Sequence, residues 1–135
     1  MKKYYYALFA LIRFYYLKIF KNVQFNFTKL NLIYPFCVFD FEKSSKIGFG
    51  YKFTARRNNQ IIVRKEAELI IGDNVFFNSN CVLVCQGHIL IGNNCKFGPG
   101  TMLFDHDHSM QDSNSIVENR NFSKDSISIG EGCWF

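Results

Sequence analysis

Bulky apolar residues recur at every sixth position through the second half of the chain. The positions are Ile71, Phe77 and Leu83, then, after a slip of two residues, Ile91, Phe97 and Leu103, and finally Ile129 and Phe135. The fifth position of the clearest units is small: Val75, Cys81, Gly87, Cys95, Thr101 and Cys133. Strands repeat every two residues and helices every 3.6, so neither explains this spacing. Units of six residues, three to a turn, predict a coil with three flat faces that buries itself by stacking on its neighbours.

A nine-residue motif shows the same repeat. It occurs at Leu69–Phe77, Ile89–Phe97 and Ile127–Phe135, with a shorter version at Ile47–Phe53. The polar, aperiodic run 109–126 lengthens the last interval, and we interpret it as a loop ejected from the coil. An ordinary β-sandwich with Gly-Asn turns is the alternative, but it has no reason for six-residue spacing. The prediction is an all-β, parallel β-helix domain over residues 42–135.

Residues 1–41 differ in character and are predicted to form an N-terminal helix followed by an extended lead-in. Residues 4–20 are almost entirely apolar, although Arg13 and Lys18 interrupt a run already short for a membrane span. At 100° per residue, one half of this amphipathic α-helix carries the basic residues Lys2, Lys3, Arg13, Lys18 and Lys21. The other half carries Leu8, Leu11, Ile12, Tyr15 and Ile19. Two interpretations follow: peripheral contact of residues 2–21 with an anionic membrane surface, or a cap on the open end of the β-helix.

The distribution of charge and the spacing of the Cys residues argue against several kinds of function. Residues 1–65 hold 13 Lys or Arg and two acids, a balance of +11, whereas residues 66–135 hold three and nine, a balance of −6. The basic residues near Arg56 and Arg57 belong to no recognisable nucleic-acid module, so we expect no nucleic-acid partner. The five Cys have no metal or redox spacing, and three occupy the small inward position, which predicts buried free thiols.

Candidate chemistry lies in Asp105-His106-Asp107-His108, which follows Gly98-Pro99-Gly100. An imidazole near its ordinary pKa is a suitable general base, and a neighbouring carboxylate can fix its tautomer. A zinc site is the alternative, because His-x-His can bind Zn²⁺. His88 is the only further His in the chain, and its place beside Gly87 is more typical of a turn, so we assign no metal.

With these motifs, residues 47–135 resemble the hexapeptide-repeat acyltransferases, whose β-helix is left-handed. Within that family the likeness is to sugar O-acetyltransferases of the galactoside and maltose acetyltransferase type. That type carries a catalytic His nine residues after the Pro of a Gly-Pro pair, and this count leads from Pro99 to His108. It also carries Asn-x-Asn in the preceding coil. The resemblance therefore implies His108 as base, Asp105 and His106 as supporting residues, and Asn78 and Asn80 as acceptor-binding residues.

The resemblance also implies acetyl-CoA as co-substrate, a sugar or surface-polysaccharide precursor as acceptor, and a homotrimer with the site between subunits. Later coils of the family line the coenzyme, and Trp134 is the residue we assign to that role. The family usually continues for a further coil, so the chain is expected to be truncated at Phe135. A cytoplasmic protein, at the inner face of the membrane, is expected. The alternatives are a truncated inactive remnant, a membrane-surface scaffold, and a metal site like that of the γ-carbonic anhydrases, which share the fold.

Overall fold

One helix is followed by a solenoid of short strands. The computed structural model describes the backbone of residues 2–108 and 122–135 and the side chains of residues 4–107 and 123–135. The helix is α1 (Lys2–Phe20). The strands are β1 (Gln24–Phe27), β2 (Leu32–Ile33), β3 (Val38–Phe41), β4 (Lys46–Phe49), β5 (Thr54–Ala55), β6 (Gln60–Val63), β7 (Glu68–Ile71), β8 (Phe76–Phe77), β9 (Val82–Cys85), β10 (His88–Ile91), β11 (Lys96–Phe97), β12 (Met102–Phe104), β13 (His106–His108), β14 (Phe122–Lys124) and β15 (Ser126–Ile129).

Strands β1–β12 and β15 form three parallel sheets, which are the faces of a triangular prism. Face A has the order β1-β4-β7-β10-β15, face B has β2-β5-β8-β11, and face C has β3-β6-β9-β12. Each coil contributes one strand to each face: coil 1 is β1–β3, coil 2 is β4–β6, coil 3 is β7–β9, coil 4 is β10–β12, and β15 opens a fifth. This arrangement confirms the predicted parallel β-helix with an N-terminal helix.

The length of each coil follows from the strand register. Gln24 pairs with Lys46 and Lys46 with Glu68, so coils 1 and 2 are equally long. Glu68 pairs with His88, so coil 3 is shorter by two residues. The difference lies at the corner between faces C and A, where four residues join the strands in coils 1 and 2, but only two in coil 3. The stacked sheets begin at β1, so residues 24–41, predicted as an extended lead-in, form the first coil.

The corners are built from residues with a left-handed backbone conformation. They are Lys52, Asn74, Asn94 and Gly132 between faces A and B; Phe36, Asn58, Asn80 and Gly100 between faces B and C; Ser44 and Glu66 between faces C and A; and Asn22, which precedes β1 in the same column as Ser44 and Glu66. Asn and Gly tolerate this conformation best, which explains their recurrence between the apolar segments. Because these residues stack in columns, the corners of successive coils superimpose.

The helix α1 closes the N-terminal end of the prism. The Phe14 ring is completely buried, with centroids 5.0–5.6 Å from those of Phe25, Phe27, Phe39 and Phe49. Ala10 and Leu17, one turn to either side of Phe14, are also buried. The apolar interior at this end of the prism is thus covered, as the cap interpretation of residues 4–20 requires.

The chain leaves the solenoid after β12 and returns at β15. Strands β13 and β14 pair antiparallel, with His106 opposite Lys124 and His108 opposite Phe122. Residues 109–121 of the predicted loop lie outside the described residues. The described part of this excursion is therefore a two-stranded ribbon that begins beside coil 4.

Candidate functional site

Asp105 occupies the position where the chain leaves the solenoid. Its side chain is fully buried, and its two carboxylate oxygens accept hydrogen bonds from two backbone N–H groups. Oδ1 accepts from Gln86 N at 2.7 Å and Oδ2 from Gly87 N at 2.8 Å. Gln86 and Gly87 are the two residues of the shortened corner of coil 3. The carboxylate therefore satisfies donors that this tight corner turns inward, where an unpaired N–H would be costly.

Close packing at this corner also requires glycine at position 87. A Cβ atom at this position would lie 2.5 Å from the backbone oxygen of Asp125, closer than non-bonded atoms approach. The N–H of Asp125 in turn donates to the backbone oxygen of Asp105 at 2.8 Å. The shortened corner, Asp105 and the returning chain thus form one connected unit at the base of the β13–β14 ribbon.

His106 lies next to this fixed carboxylate. Its Nδ1 is 3.3 Å from Asp105 Oδ1, its side chain is 15% exposed, and its ring stands edge-on to Phe104. A neutral His106 that carries its proton on Nδ1 donates it to Asp105, and Nε2 then bears the basic lone pair. This is the arrangement in which a carboxylate orients a general base.

A shallow hollow of about 260 Å³ adjoins this pair. It is lined by residues 104–107 on one side and by Ser123, Asp125, Ser126 and Ile127 on the other. A hollow of about 500 Å³ lies elsewhere, between the start of α1 and face B, and is lined mainly by apolar groups. Of these two hollows, the smaller one contains an imidazole and carboxylates, so it is the better candidate for proton transfer.

The residues predicted to bind the acceptor lie at a different corner. Asn78 is half-buried between faces B and C, and its Oδ1 accepts from Ser79 N at 2.9 Å. Asn80 is exposed, has a φ of 64°, and accepts from the Asn58 amide at 3.3 Å, so it belongs to a column of corner residues. Face C separates this corner from Asp105 by roughly 13 Å, the length of a four-residue strand. One chain does not bring Asn78 and His106 together.

His108 and Trp134 complete the predicted set. The backbone of His108 ends strand β13, and its side chain lies outside the described residues. Trp134 forms a bridge with Lys96 in the fifth coil, and 83% of its residue surface is exposed. The neighbouring Phe135 stacks on Phe97, with ring centroids 5.1 Å apart and planes within 3°. Trp134 therefore offers a flat aromatic surface at the C-terminal end of the stack.

His88 lies beside Glu68 on face A. Its Nδ1 is 3.1 Å from Glu68 Oε2, and both side chains are partly exposed on the outside of face A. Within residues 2–108 and 122–135, no three His, Cys, Asp or Glu side chains are placed to hold a metal ion.

Cys85, the last residue of β9, was not predicted to belong to this site. Burial raises its pKa to about 12, and the charge of Asp105 and a hydrogen bond to that residue add to the increase. The Cys85 thiol itself lies 3.3 Å from the backbone oxygen of Glu68. The sequence signal that could have identified this corner is the two-residue slip in the repeat between Leu83 and Ile91.

The raised pKa of Cys85 predicts a pH dependence. Its ordinary value is 9.0, so above pH 9 the unfolded chain loses this proton while the folded chain keeps it. The free energy of unfolding should therefore fall between about pH 9 and pH 12 and be unaffected below. Urea titrations of the wild type and Cys85→Ala across this range should show a shallower fall in the variant. Parallel curves would contradict the assignment.

Comparisons with known proteins do not identify a family. No model of a known protein family matches this chain. No solved structure gives a significant match either. The assignment of a parallel β-solenoid therefore depends on the sheet order and register described above.

Proposed function

We propose that the protein is an acetyl-CoA-dependent O-acetyltransferase that acts on a sugar hydroxyl of a saccharide or surface-polysaccharide precursor. The observation that carries the proposal is the imidazole–carboxylate pair of His106 and Asp105, in the segment that leads to His108. This segment begins at a coil corner and follows Gly98-Pro99 at the spacing that is typical of sugar acetyltransferases. The β-solenoid of six-residue units is the fold on which such a site is expected.

The proposed roles follow from the positions of the residues. His108 removes the proton from the acceptor hydroxyl, while Asp105 anchors the base of strand β13 and orients His106. Acetyl-CoA supplies the activated thioester, so the new ester bond forms as the thiolate leaves. Trp134 is a candidate for the coenzyme's adenine, because an exposed indole can stack on a flat ring. We propose a cytoplasmic location, in which peripheral contact of residues 2–21 would hold the protein at the inner face of the membrane.

A homotrimer is part of the proposal. Asn78 and His106 lie at different corners of one chain, so a site that uses both needs the corner of a second chain. Assembly around a threefold axis provides this juxtaposition, as in the acyltransferases that the sequence resembles. We therefore assign Asn78 and Asn80 to acceptor binding from one subunit and His108 to proton transfer from another.

The proposal predicts that His108→Ala lowers acetyl transfer by about 10²–10⁴-fold, the usual contribution of a general base. Transfer of radiolabelled acetyl groups to a panel of sugars measures this directly. His88→Ala is the matched control, since that imidazole pairs with Glu68 on face A and should leave turnover unchanged. Turnover by His108→Ala equal to that of the wild type would contradict the role of His108.

The non-enzymatic alternative, a scaffold or inactive remnant, makes a different prediction. It expects no binding of coenzyme A, whereas the proposed function expects a binding isotherm that weakens in Trp134→Ala. Isothermal calorimetry on the full chain separates the two, and circular dichroism confirms that the protein used is folded. Absence of heat from a folded protein would favour the scaffold.

A further inference from the structure

The helix α1 has a second apolar face, and this face points away from the solenoid. Ala10, Phe14 and Leu17 are buried against coil 1. The opposite side exposes Tyr4, Tyr5, Leu8, Phe9, Ile12, Tyr15, Tyr16, Ile19 and Phe20, each between 47% and 81% of its residue surface. We call these nine residues the outer face. They extend along almost the whole length of α1.

An exposed apolar surface of this size indicates a binding partner. Soluble monomers rarely expose contiguous apolar patches larger than a few hundred Å², and larger ones mark interaction sites. At the margin of the outer face the Tyr15 ring touches Phe27, with centroids 5.2 Å apart, yet 48% of Tyr15 stays exposed. The Tyr side chains add an apolar ring with a polar tip, the type of residue enriched where lipid headgroups meet the acyl region.

The charge around the outer face identifies the partner. Residues 1–39 contain no acidic residue, and Lys18 and Lys21 lie near the C-terminal end of α1. In a solenoid, sequence order is also the order along the axis, so the balance of +11 over residues 1–65 concentrates at the helix end. Toward the other end, residues 66–107 and 123–135 hold seven acidic residues and only two Lys. An anionic surface therefore attracts the helix end of the molecule.

From these observations we infer that the outer face of α1 binds an anionic lipid bilayer, with the helix lying flat in the interface and the solenoid standing end-on. Among the described residues no helix is long and apolar enough to cross a bilayer. A second copy of the chain is the less favourable occupant, because pairing two outer faces would also bring two strongly basic ends together.

The orientation has a geometric consequence. Successive coils are about 4.8 Å apart, so coil 4 stands roughly 14 Å beyond coil 1. The helix adds about 10 Å. The hollow beside Asp105 and His106 would therefore face the space just above the headgroups rather than the bilayer itself.

Vesicle co-sedimentation of the full chain tests the inference. We expect binding to mixed vesicles of phosphatidylcholine and phosphatidylglycerol, at least tenfold weaker binding in 0.5 M than in 0.1 M salt, and little binding to phosphatidylcholine alone. The double substitution Ile12→Glu and Ile19→Glu should reduce binding at least tenfold. Met102→Glu is the matched control, since Met102 on coil 4 is 64% exposed, similar to Ile12 at 63% and Ile19 at 68%.

Two results would overturn the inference. One is co-sedimentation of the double variant at the wild-type level. The other is a wild-type protein that does not bind vesicles but forms a lipid-free dimer in analytical ultracentrifugation, whereas the double variant is monomeric. This result would make the outer face a protein interface. Circular dichroism and thermal unfolding of each variant verify that the cap formed by Phe14 is intact.

Discussion

Asp105→Asn is expected to lower the free energy of unfolding by about 3 kcal/mol, since it disrupts two charge-assisted hydrogen bonds in a buried site. The carboxylate of Asp105 is acceptor-only and receives the N–H groups of Gln86 and Gly87 on separate oxygens. An amide of the same shape offers one oxygen and one NH₂ group. One backbone donor would then face another donor in a buried site.

The effect of Asp105→Asn should not be relieved by movement of the corner. Gly87 is already held against the backbone of Asp125, and only two residues connect β9 to β10. Solvent cannot replace the lost acceptor without opening the base of the β13–β14 ribbon. If the proposed function is correct, the substitution should also lower acetyl transfer, through the displacement of His106 and β13 rather than through contact with substrate.

Urea denaturation of Asp105→Asn and Asp125→Asn provides the measurement and its control. Asp125 is exposed, and its Oδ1 accepts from the adjacent Ser126 N, a bond that the Asn oxygen can retain. Both variants lose one negative charge, so long-range charge effects are comparable. We expect less than about 0.5 kcal/mol for Asp125→Asn. Equal losses in the two variants would show that Asp105 has no special structural role.

The six-residue pattern was sufficient to predict the solenoid because the residues that point into the core are set by the alternation of side chains within each strand. Ile71, Phe77 and Leu83 are all buried on successive faces, as their spacing requires. The length of the coils was not predictable in the same way. The corner between faces C and A has no strongly apolar residue that would mark its extra positions, so the greater length of coils 1 and 2 became clear only from the strand register.

The candidate site, like the fold, could be predicted from the sequence only in part. The adjacency of Asp105 and His106 in sequence was enough to predict an imidazole–carboxylate pair. The burial of Asp105 was not, because it depends on a corner 18 residues earlier in the chain. The separation of Asn78 from that pair likewise follows from which corner each occupies, and spacing along the chain does not reveal it.

The helix illustrates a further limit. Sorting charges around α1 grouped Leu8, Ile12 and Ile19 on one apolar half, yet all three are exposed. The stripe that packs on coil 1 passes through Phe14, which fits among four Phe rings at the end of the prism. Since α1 is apolar on nearly every side, its charges alone could not identify the buried face.

Gly50→Ala is expected to destabilise the fold by about 2–3 kcal/mol, as overpacking of a rigid interior does. Gly50, Gly72, Gly92 and Gly130 form a column in which each of the first three donates its N–H to the next coil at 2.8 Å. A Cβ atom on Gly50 would lie 2.5 Å from the carbonyl carbon of Gly72 and 2.6 Å from its oxygen. Both contacts are with backbone, so no side-chain rotation can relieve them.

Gly130→Ala is the control that isolates this steric effect. It belongs to the same column, but a Cβ atom there would meet nothing within 4 Å, and its φ is not in the left-handed region. Alanine should be neutral there or stabilise the protein by up to about 1 kcal/mol, because it restricts the unfolded chain. Thermal unfolding of the two variants distinguishes the alternatives. If Gly50→Ala were as stable as Gly130→Ala, adjacent coils would have to separate without cost. Such a result is incompatible with the short hydrogen bonds from Gly50 N to Ile71 and from Tyr51 N to Asp73, which hold these coils together.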